Sequence, residues 1–293
     1  MVRNFEELKQ LLIEVKDNDY NVPSGVDVDG VIADMLKFIG HTDAELRDKL
    51  IYSTFVQWAE VKGIFSVEQM IHILNTCLSD THLFFGIGEK DTDSVFTRSF
   101  SSLLINISFC VHYEKPFLTT KDIHDIKEAV FRYISEEKDY RGYVDDKGWA
   151  HAVAHIADVL LTIADVEKAI DVDGNYCIGR EGLLEVLQAV KTLVCNKEFV
   201  YSAEEDERLV TPFMVVTDRK VFTSKELIAW IDSFNMADNE YWKGTMPDDY
   251  YLYVNRKNFM RSLYFRLQSQ ISTEGFDEIC KHMRGFLLES DDE

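Results

Sequence analysis

Apolar residues recur along most of the chain at three- and four-residue spacing, which is the period of a helix with one buried face. In the first such segment Phe5, Leu8, Leu12 and Val15 share a face. The same spacing predicts further helices at about 43–62, 67–79, 94–112, 120–138, 148–163, 180–195, 205–217, 224–234, 248–270 and 273–289. No convincing alternating strand occurs, because FVYSA and FMVVT are too short to found a sheet. The pattern therefore predicts an all-α protein.

Helix start signals support several of these segments. A Ser or Thr precedes the helix and an acidic or amide residue follows three positions later in the pairs Ser66 and Gln69, Thr119 and Asp122, and Thr223 and Glu226. This spacing lets the two side chains bond each other's backbone N–H groups. Asp93 is expected to cap the helix that follows it. We predict that helices begin at all four positions.

Two kinds of helix are expected. Segment 120–138 is amphipathic, whereas 94–112 and 148–163 carry almost no charge and should be buried on most sides. Buried and amphipathic helices in alternation indicate two layers, as in stacked helical hairpins of the armadillo or HEAT type or in an α/α barrel. We expect residues 1–293 to form a single α-helical domain.

Composition excludes several classes of function. Lys and Arg total 31 against 52 Asp and Glu, a formal charge of −21. A field of that sign repels phosphate backbones and anionic lipid, so neither nucleic acid nor a membrane is an expected partner. The five cysteines are widely spaced and form no C-x-x-C pair, which argues against disulfides and zinc knuckles. We expect a cytoplasmic protein.

Segment 148–163 contains the main candidate site. His151, His155, Asp158 and Thr162 fall within roughly 60° of one another on a helix that is otherwise apolar. Buried polar groups need partners, so this strip should face either polar side chains or an enclosed polar cavity. The H-x-x-x-H-x-x-D spacing also suits a divalent metal such as zinc, with His151, His155 and Asp158 as ligands. A hydrogen-bonding network, a ligand pocket and a metal site all remain open.

A second polar face lies on segment 94–112. Arg98 is its only charged residue, and Ser94, Ser101, Ser108 and His112 share its face. A buried arginine pairs most often with a carboxylate, but its planar guanidinium also suits an anionic ligand. Other candidate ligand-binding residues are Arg141 and Lys147, which flank Asp145 and Asp146, together with Trp149 and Asp93.

Three long segments together resemble a known family. TDAELRDKLIYSTFVQWAE (42–60), FFGIGEKDTDSVFTRSFSSLLI (84–105) and EEKDYRGYVDDKGWAHAVAHIADVL (136–160) are similar to the bacterial family catalogued as domain of unknown function 2785, over a core of about 42–230. The resemblance implies an armadillo- or HEAT-like fold but no activity. It also implies one shared site for the matching positions, which are Arg47, Asp48, Asp93, Arg98, Arg141, Gly142, Lys147, Trp149, His151, His155 and Asp158.

Two hypotheses for function follow. The first is a binding protein whose polar pocket around His151 and His155 holds a small anionic molecule or a protein partner. The second is a metal-dependent hydrolase that uses His151, His155 and Asp158 as metal ligands, with Asp145 or Asp146 as the base. The sequence does not decide whether the protein is an enzyme.

Two short segments imitate other motifs. DVDGVIADM, from Asp27, resembles the first motif of haloacid-dehalogenase-type phosphatases, but the preceding NVPSGV is not the buried strand that this motif must follow. DVDGNYCIGREG, from Asp171, resembles part of a calcium loop. In that register the first position is Ala169 and the twelfth is Arg180, so the closing glutamate is missing. We interpret this second segment as a turn.

Overall fold

The computed structural model describes residues 3–165, 167–234, 245–270 and 276–289. Within these ranges the α-helices are α1 (Phe5–Asp17), α2 (Val28–Phe38), α3 (Ser53–Val56), α4 (Val67–Cys77), α5 (Ser94–Glu114), α6 (Thr120–Glu136), α7 (Ala152–Ala164), α8 (Arg180–Val194), α9 (Glu205–Asp218), α10 (Ser224–Asp232), α11 (Asp248–Ser269) and α12 (Phe276–Glu289). The all-α prediction is confirmed. The more specific armadillo-like or barrel arrangement stays a prediction.

The described sheet structure amounts to one small hairpin. Strand β1 (Tyr143–Val144) pairs antiparallel with β2 (Gly148–Trp149), so that Tyr143 lies opposite Trp149. The predicted helix 148–163 is therefore wrong at its start, because its first two residues belong to β2 and α7 begins only at Ala152. The first three residues of predicted helix 273–289 lie outside the described residues.

The capping signals have mixed outcomes. Ser66, Thr119 and Thr223 each form the predicted reciprocal capping box with the residue three positions later. Asp93 precedes α5 as predicted, but its side chain makes no capping hydrogen bond to the helix. The Asp93 carboxylate instead forms an ion pair with Lys147, whose Nζ lies 2.6 Å from Asp93 Oδ1.

Neither the phosphatase-like segment nor the calcium-loop-like segment has the structure of the motif that it resembles. DVDGVIADM falls largely within α2, a helix that the spacing analysis missed, so no strand delivers its aspartates to a sheet edge. Asp171 closes a turn, as predicted. Its Oδ1 accepts the backbone N–H groups of Asp173 at 3.0 Å and of Asn175 at 2.8 Å.

Helix α7 lies at the centre of the fold, packed between α5 and α9 and contacting α6 and α8. One hydrophobic core runs from α1 to α12 through these elements. Helix α5 is long and apolar enough to cross a membrane by length and composition alone, but 72% of that stretch is buried inside the protein. Burial of this kind is what we expected for the two helices that carry little charge.

Two π-helical segments flank α3, namely Glu45–Tyr52 and Gln57–Val61. Helices of this type account for well under 1% of residues in globular proteins and are found frequently at functional sites. The first segment contributes the buried Arg47 and the neighbouring Asp48, both of which belong to the family-like positions. The π geometry therefore marks the side of the fold on which the candidate site is built.

Candidate functional site

The chain reaches α7 through the β1–β2 hairpin and one residue of unusual backbone. His151 has φ 49° and ψ 33°, the left-handed conformation, which histidine adopts more readily than most side chains. The backbone N–H groups of Ala150 and His151 both donate to the carbonyl of Gly142, at 2.8 and 3.1 Å. This bend ties the end of the hairpin to its beginning. His151 therefore lies just outside α7 rather than on its first turn.

The His151 ring lies beneath the hairpin. The Trp149 ring, which is 41% exposed, lies over it with ring centroids 4.1 Å apart. Nε2 of His151 is buried and has no hydrogen-bond partner among the residues that the structure describes. Burial, together with the positive charge of Arg208, lowers the pKa of His151 to about 4. The imidazole is thus neutral at pH 7, with one polar nitrogen left unsatisfied.

Glu205, in the first turn of α9, lies beside the same bend. Its side chain is buried, with the residue only 1% exposed, and burial raises the pKa of its carboxyl. Oε2 accepts the backbone N–H of Ala203 at 2.8 Å, but Oε1 is buried and has no partner in the described part of the chain. A Cβ placed on Gly142 would lie 2.7 Å from Glu205 Oε1 and 3.7 Å from His151 Cδ2. The two unsatisfied side chains therefore both lie against Gly142.

His155 lies one turn further along α7 and is engaged by the protein. Ser99 Oγ donates to the carbonyl of Ala150, so its lone pair is left to accept from His155 Nδ1, 2.7 Å away. The proton of His155 is thereby assigned to Nδ1. Burial and the neighbouring His151 lower the pKa of His155 to about 3. The Phe100 ring packs edge-on against it, with centroids 5.3 Å apart.

The other two residues of the predicted polar strip, Asp158 and Thr162, bind side chains on neighbouring helices. Asp158 accepts two hydrogen bonds from Arg208 Nη1, at 2.8 and 3.1 Å, and burial raises the pKa of Asp158 against the opposing effect of this cation. Thr162 donates to Asn106 on α5 at 2.6 Å. No group of three or more His, Cys, Asp or Glu side chains among the residues described is placed to hold a metal ion.

Arg98 forms a buried pair with a carboxylate, which is the first of the two alternatives that the sequence left open. Its Nε and Nη2 lie 2.6 and 2.8 Å from the two carboxylate oxygens of Glu137. Nη1 donates to the carbonyls of Phe85 and Gly86 and to Ser94 Oγ. The guanidinium thus joins the start of α5 to the chain after α6, and its charge is neutralised within the protein.

The other predicted ligand-binding cations are also paired with carboxylates. Arg141 binds Asp139 through Nε at 2.8 Å and Nη2 at 2.6 Å. Lys147 reaches back to Asp93 across the hairpin. Asp145 and Asp146, the bases of the hydrolase hypothesis, are exposed at the hairpin turn.

Arg47 secures the hairpin from the other side. Its guanidinium packs over the ring of Phe96 and donates to the carbonyls of His41 at 2.8 Å, Lys147 at 2.8 Å and Trp149 at 3.2 Å. The side chain is fully buried, and its Nε lies 2.9 Å from an Asp48 oxygen without hydrogen-bond geometry. The π-helical segment thereby positions Trp149 over His151.

The structure brings four predicted residues together at the bend: Gly142, Trp149, His151 and His155. Glu205, Glu137 and Asp139 were not singled out from the sequence. Glu137 and Asp139 could have been found, because they lie within the family-like segment 136–160 and a buried arginine requires a carboxylate. Glu205 gave no such signal, since an acidic residue in the first turn of a helix is ordinary.

Comparison with known proteins identifies the family. The pattern of the family described as protein of unknown function (DUF2785) matches residues 83–265, and the chain belongs to this family. The match begins after segment 42–60, which contributed to the resemblance seen in the sequence. No curated protein matches the chain. No solved structure matches it either.

Proposed function

We propose that this member of the DUF2785 family binds a small polar molecule between His151 and Glu205, beneath Trp149. One observation carries the proposal: His151 Nε2 and Glu205 Oε1 are both buried without a hydrogen-bond partner, and both side chains adjoin Gly142. Leaving a buried polar atom unpaired costs about 1–3 kcal/mol. A molecule that hydrogen-bonds both atoms removes this penalty, which is a direct source of affinity.

The electrostatics of the site favour a neutral or amine-bearing ligand over the anionic one expected from the sequence. Each nearby cation already has a carboxylate partner, namely Arg98, Arg141, Lys147 and Arg208. Glu205 accepts hydrogen bonds from hydroxyl or amino groups, and the neutral His151 both donates and accepts depending on its tautomer. Polyols and amino alcohols carry such hydroxyl and amino groups on adjacent carbons.

Trp149 controls access in this proposal. Its ring covers His151, and it is exposed at the open end of the hairpin beside the 57% exposed Tyr143, with the two ring centroids 4.9 Å apart. A ligand reaches His151 Nε2 only after the Trp149 ring swings away. The ligand's carbon skeleton then contacts the indole, in the way that aromatic side chains pack on the apolar face of a polar molecule.

A thermal-shift screen tests the proposal. Neutral polyols and amino alcohols are compared with carboxylic acids of matched size, on the wild type and on Glu205→Gln and His151→Asn. A ligand present at one hundred times its Kd stabilises the folded state by about 2.7 kcal/mol, a rise of several degrees in Tm. We expect such a rise for at least one polyol or amino alcohol, and a much smaller one in both variants.

Matched control variants are Glu128→Gln and His124→Gln, which change exposed residues of α6. They should respond to the ligand as the wild type does. The proposal fails if no compound stabilises the wild type, or if stabilisation persists in Glu205→Gln and His151→Asn. The metal-dependent hydrolase hypothesis has no comparable support, because Arg208 binds the Asp158 carboxylate and the described residues include no group of three His, Cys, Asp or Glu side chains placed to hold a metal ion.

A further inference from the structure

A second cavity, with lining residues that differ from those of the proposed ligand site, lies beside the first turn of α5. Its volume is about 410 Å³, within the range typical of small-molecule sites. It opens between the end of α2, the turn at Gly40 and His41, the loop at Thr81–Phe85 and the first turn of α5 at Thr97. We call it the α2–α5 cavity.

The walls of the α2–α5 cavity are preformed. A Cβ on Gly40 would overlap the Thr97 side chain and lie 2.6 Å from Thr97 Cα, so only glycine lets the turn approach α5 this closely. Buried His82 ties the loop to α2. Its Nε2 donates to the Leu36 carbonyl at 3.2 Å, while Nδ1 accepts from Thr81 Oγ1 at 3.0 Å. A ligand would not need to order this loop.

The polar groups of the α2–α5 cavity are cationic or donors. Lys37 lies at its rim with Nζ 4.7 Å from the Phe38 ring, and it forms no ion pair with any residue that the structure describes. His41 Nδ1 accepts the backbone N–H of Asp43 at 3.1 Å, which assigns the ring proton to Nε2 as a donor. The His41 ring is held by stacking on Phe5, with centroids 4.8 Å apart.

The sign of charge in this cavity opposes that of the whole protein. The charged residue in its lining is Lys37, and the lining contains no Asp or Glu, although acidic residues outnumber basic ones by 52 to 31 in the chain. By contrast, a neighbouring cavity of about 380 Å³ is lined by Asp29 and Glu68. The apolar part of the α2–α5 cavity is aromatic, formed by Phe38 and the 47% exposed Phe85.

We infer that the α2–α5 cavity is a binding site for a small aromatic molecule that carries an anionic group. The ring of the ligand packs between Phe38 and Phe85. Its anionic group lies against the Lys37 ammonium and accepts from His41 Nε2–H. The site lies largely before residue 83, where the family match begins, so it is a property of this chain beyond the matched segment.

Methyl NMR spectroscopy of the full chain, labelled at Leu and Thr methyl groups, tests the inference. The probe is phenyl phosphate, with benzyl alcohol and benzylamine as neutral and cationic counterparts, all at low ionic strength. We expect phenyl phosphate to shift the signals of Leu36, Thr81 and Thr97 saturably. Benzylamine should leave them in place, and benzyl alcohol should bind more weakly than phenyl phosphate.

Two variants identify the groups responsible. Lys37→Gln should weaken the binding of phenyl phosphate by roughly two- to fivefold, the range expected for one exposed charge contact, without changing that of benzyl alcohol. Phe85→Ala should weaken the binding of both, while its backbone carbonyl still accepts from Arg98. Lys49→Gln and Phe265→Ala, at exposed positions away from the cavity, are the matched controls.

The inference is overturned if phenyl phosphate produces no saturable shift at these methyl groups. Equal binding of phenyl phosphate and benzylamine, or binding that Lys37→Gln and Phe85→Ala leave unchanged, overturns it as well. Because the reporters are Leu36, Thr81 and Thr97, a failure here is distinguishable from a failure at the His151 site, which has other variants and other ligands.

Discussion

Arg98 and Glu137 form a two-pronged ion pair across 39 residues of chain, with N–O distances of 2.6 and 2.8 Å and both side chains buried. Glu137 Oε1 also accepts the backbone N–H groups of Lys138 and Asp139, at 2.8 Å each. This pair therefore shapes the segment between α6 and the hairpin. That segment in turn leads directly to Arg141 and Gly142, at the candidate site.

Removal of Arg98 should strongly destabilise the fold. Arg98→Met leaves Glu137 as a buried carboxylate without its cation, and breaking a buried pair in this way costs about 3–5 kcal/mol. The free energy of unfolding, measured in urea, should fall by that amount. Arg132→Met, which removes the exposed pair with Glu136, should change it by less than about 1 kcal/mol. Equal losses in the two variants would contradict this account.

A side chain at position 142 should displace Glu205 and so disrupt the proposed ligand site. In Gly142→Ala the new Cβ would lie 2.7 Å from Glu205 Oε1 and 2.8 Å from the Ala203 side chain. We expect the thermal response to ligand to disappear, with a loss of about 1–3 kcal/mol in stability from overpacking. Gly285→Ala in α12, where a Cβ would meet nothing within 4 Å, is the control and should be neutral or stabilising. Retained ligand response in Gly142→Ala would argue against the site.

The two histidines of the site should respond differently to substitution. His151→Asn keeps a residue that tolerates the left-handed conformation, and it orphans no protein group because Nε2 has no partner. We expect unfolding free energy to change by less than about 1 kcal/mol. His155→Leu removes the donor that Ser99 accepts, and it should cost about 1–3 kcal/mol. Chemical denaturation of both variants measures the difference. A larger loss at His151 than at His155 would mean that His151 is bonded within the protein.

Acidification should unfold the protein partly through these histidines. The folded-state pKa values of His151 and His155, about 4 and about 3, lie below the ordinary value of 6.5, so the unfolded chain binds protons that the folded chain does not. Stability is therefore retained above pH 6.5 and lost as pH falls from there towards 4. The loss is at most about 1.4 kcal/mol per pH unit for each histidine.

Unfolding free energies at pH 7, 6 and 5 check this dependence. The double variant His151→Gln/His155→Gln should flatten the pH dependence between 6.5 and 5, whereas the exposed change His124→Gln should preserve it. Burial also lowers the pKa values of His82 and His112, so a residual slope in the same direction is expected. A slope unchanged in the double variant would show that His151 and His155 are protonated equally in both states.

Most of the helices were predictable because local rules determine them, although α2 was missed. Apolar spacing and the caps at Ser66, Thr119 and Thr223 place helix starts correctly, since both act within one or two turns of chain. The start of α7 was not predictable in this way. Gly148 and Trp149 pair with β1, and His151 turns back to Gly142, so contacts outside the helix override its apolar spacing.

Only part of the candidate site could be predicted from the sequence, for a similar reason. His151 and His155 stood out because the residues around them are apolar. Glu205 lies 54 residues further along and meets His151 only because α9 packs on α7. Likewise, the sequence identified Arg98 and Asp158 as unusual polar residues on apolar helices. Glu137 could have been suspected as the partner of Arg98, because it lies in the family-like segment 136–160, but Arg208 could not be identified as the partner of Asp158, because pairing across helices depends on tertiary packing.

Arg47 lies outside the segment that matches the family, yet two of the carbonyls it binds, those of Lys147 and Trp149, lie inside that segment. If residues 83–265 were produced alone, the hairpin would lose this donor, and Trp149 would lose its fixed position over His151. We therefore expect substitutions in the π-helical segment and in the hairpin to depend on one another. Changes near Arg47 should be accompanied, among related chains, by changes around Gly148, whose missing Cβ leaves room for the guanidinium.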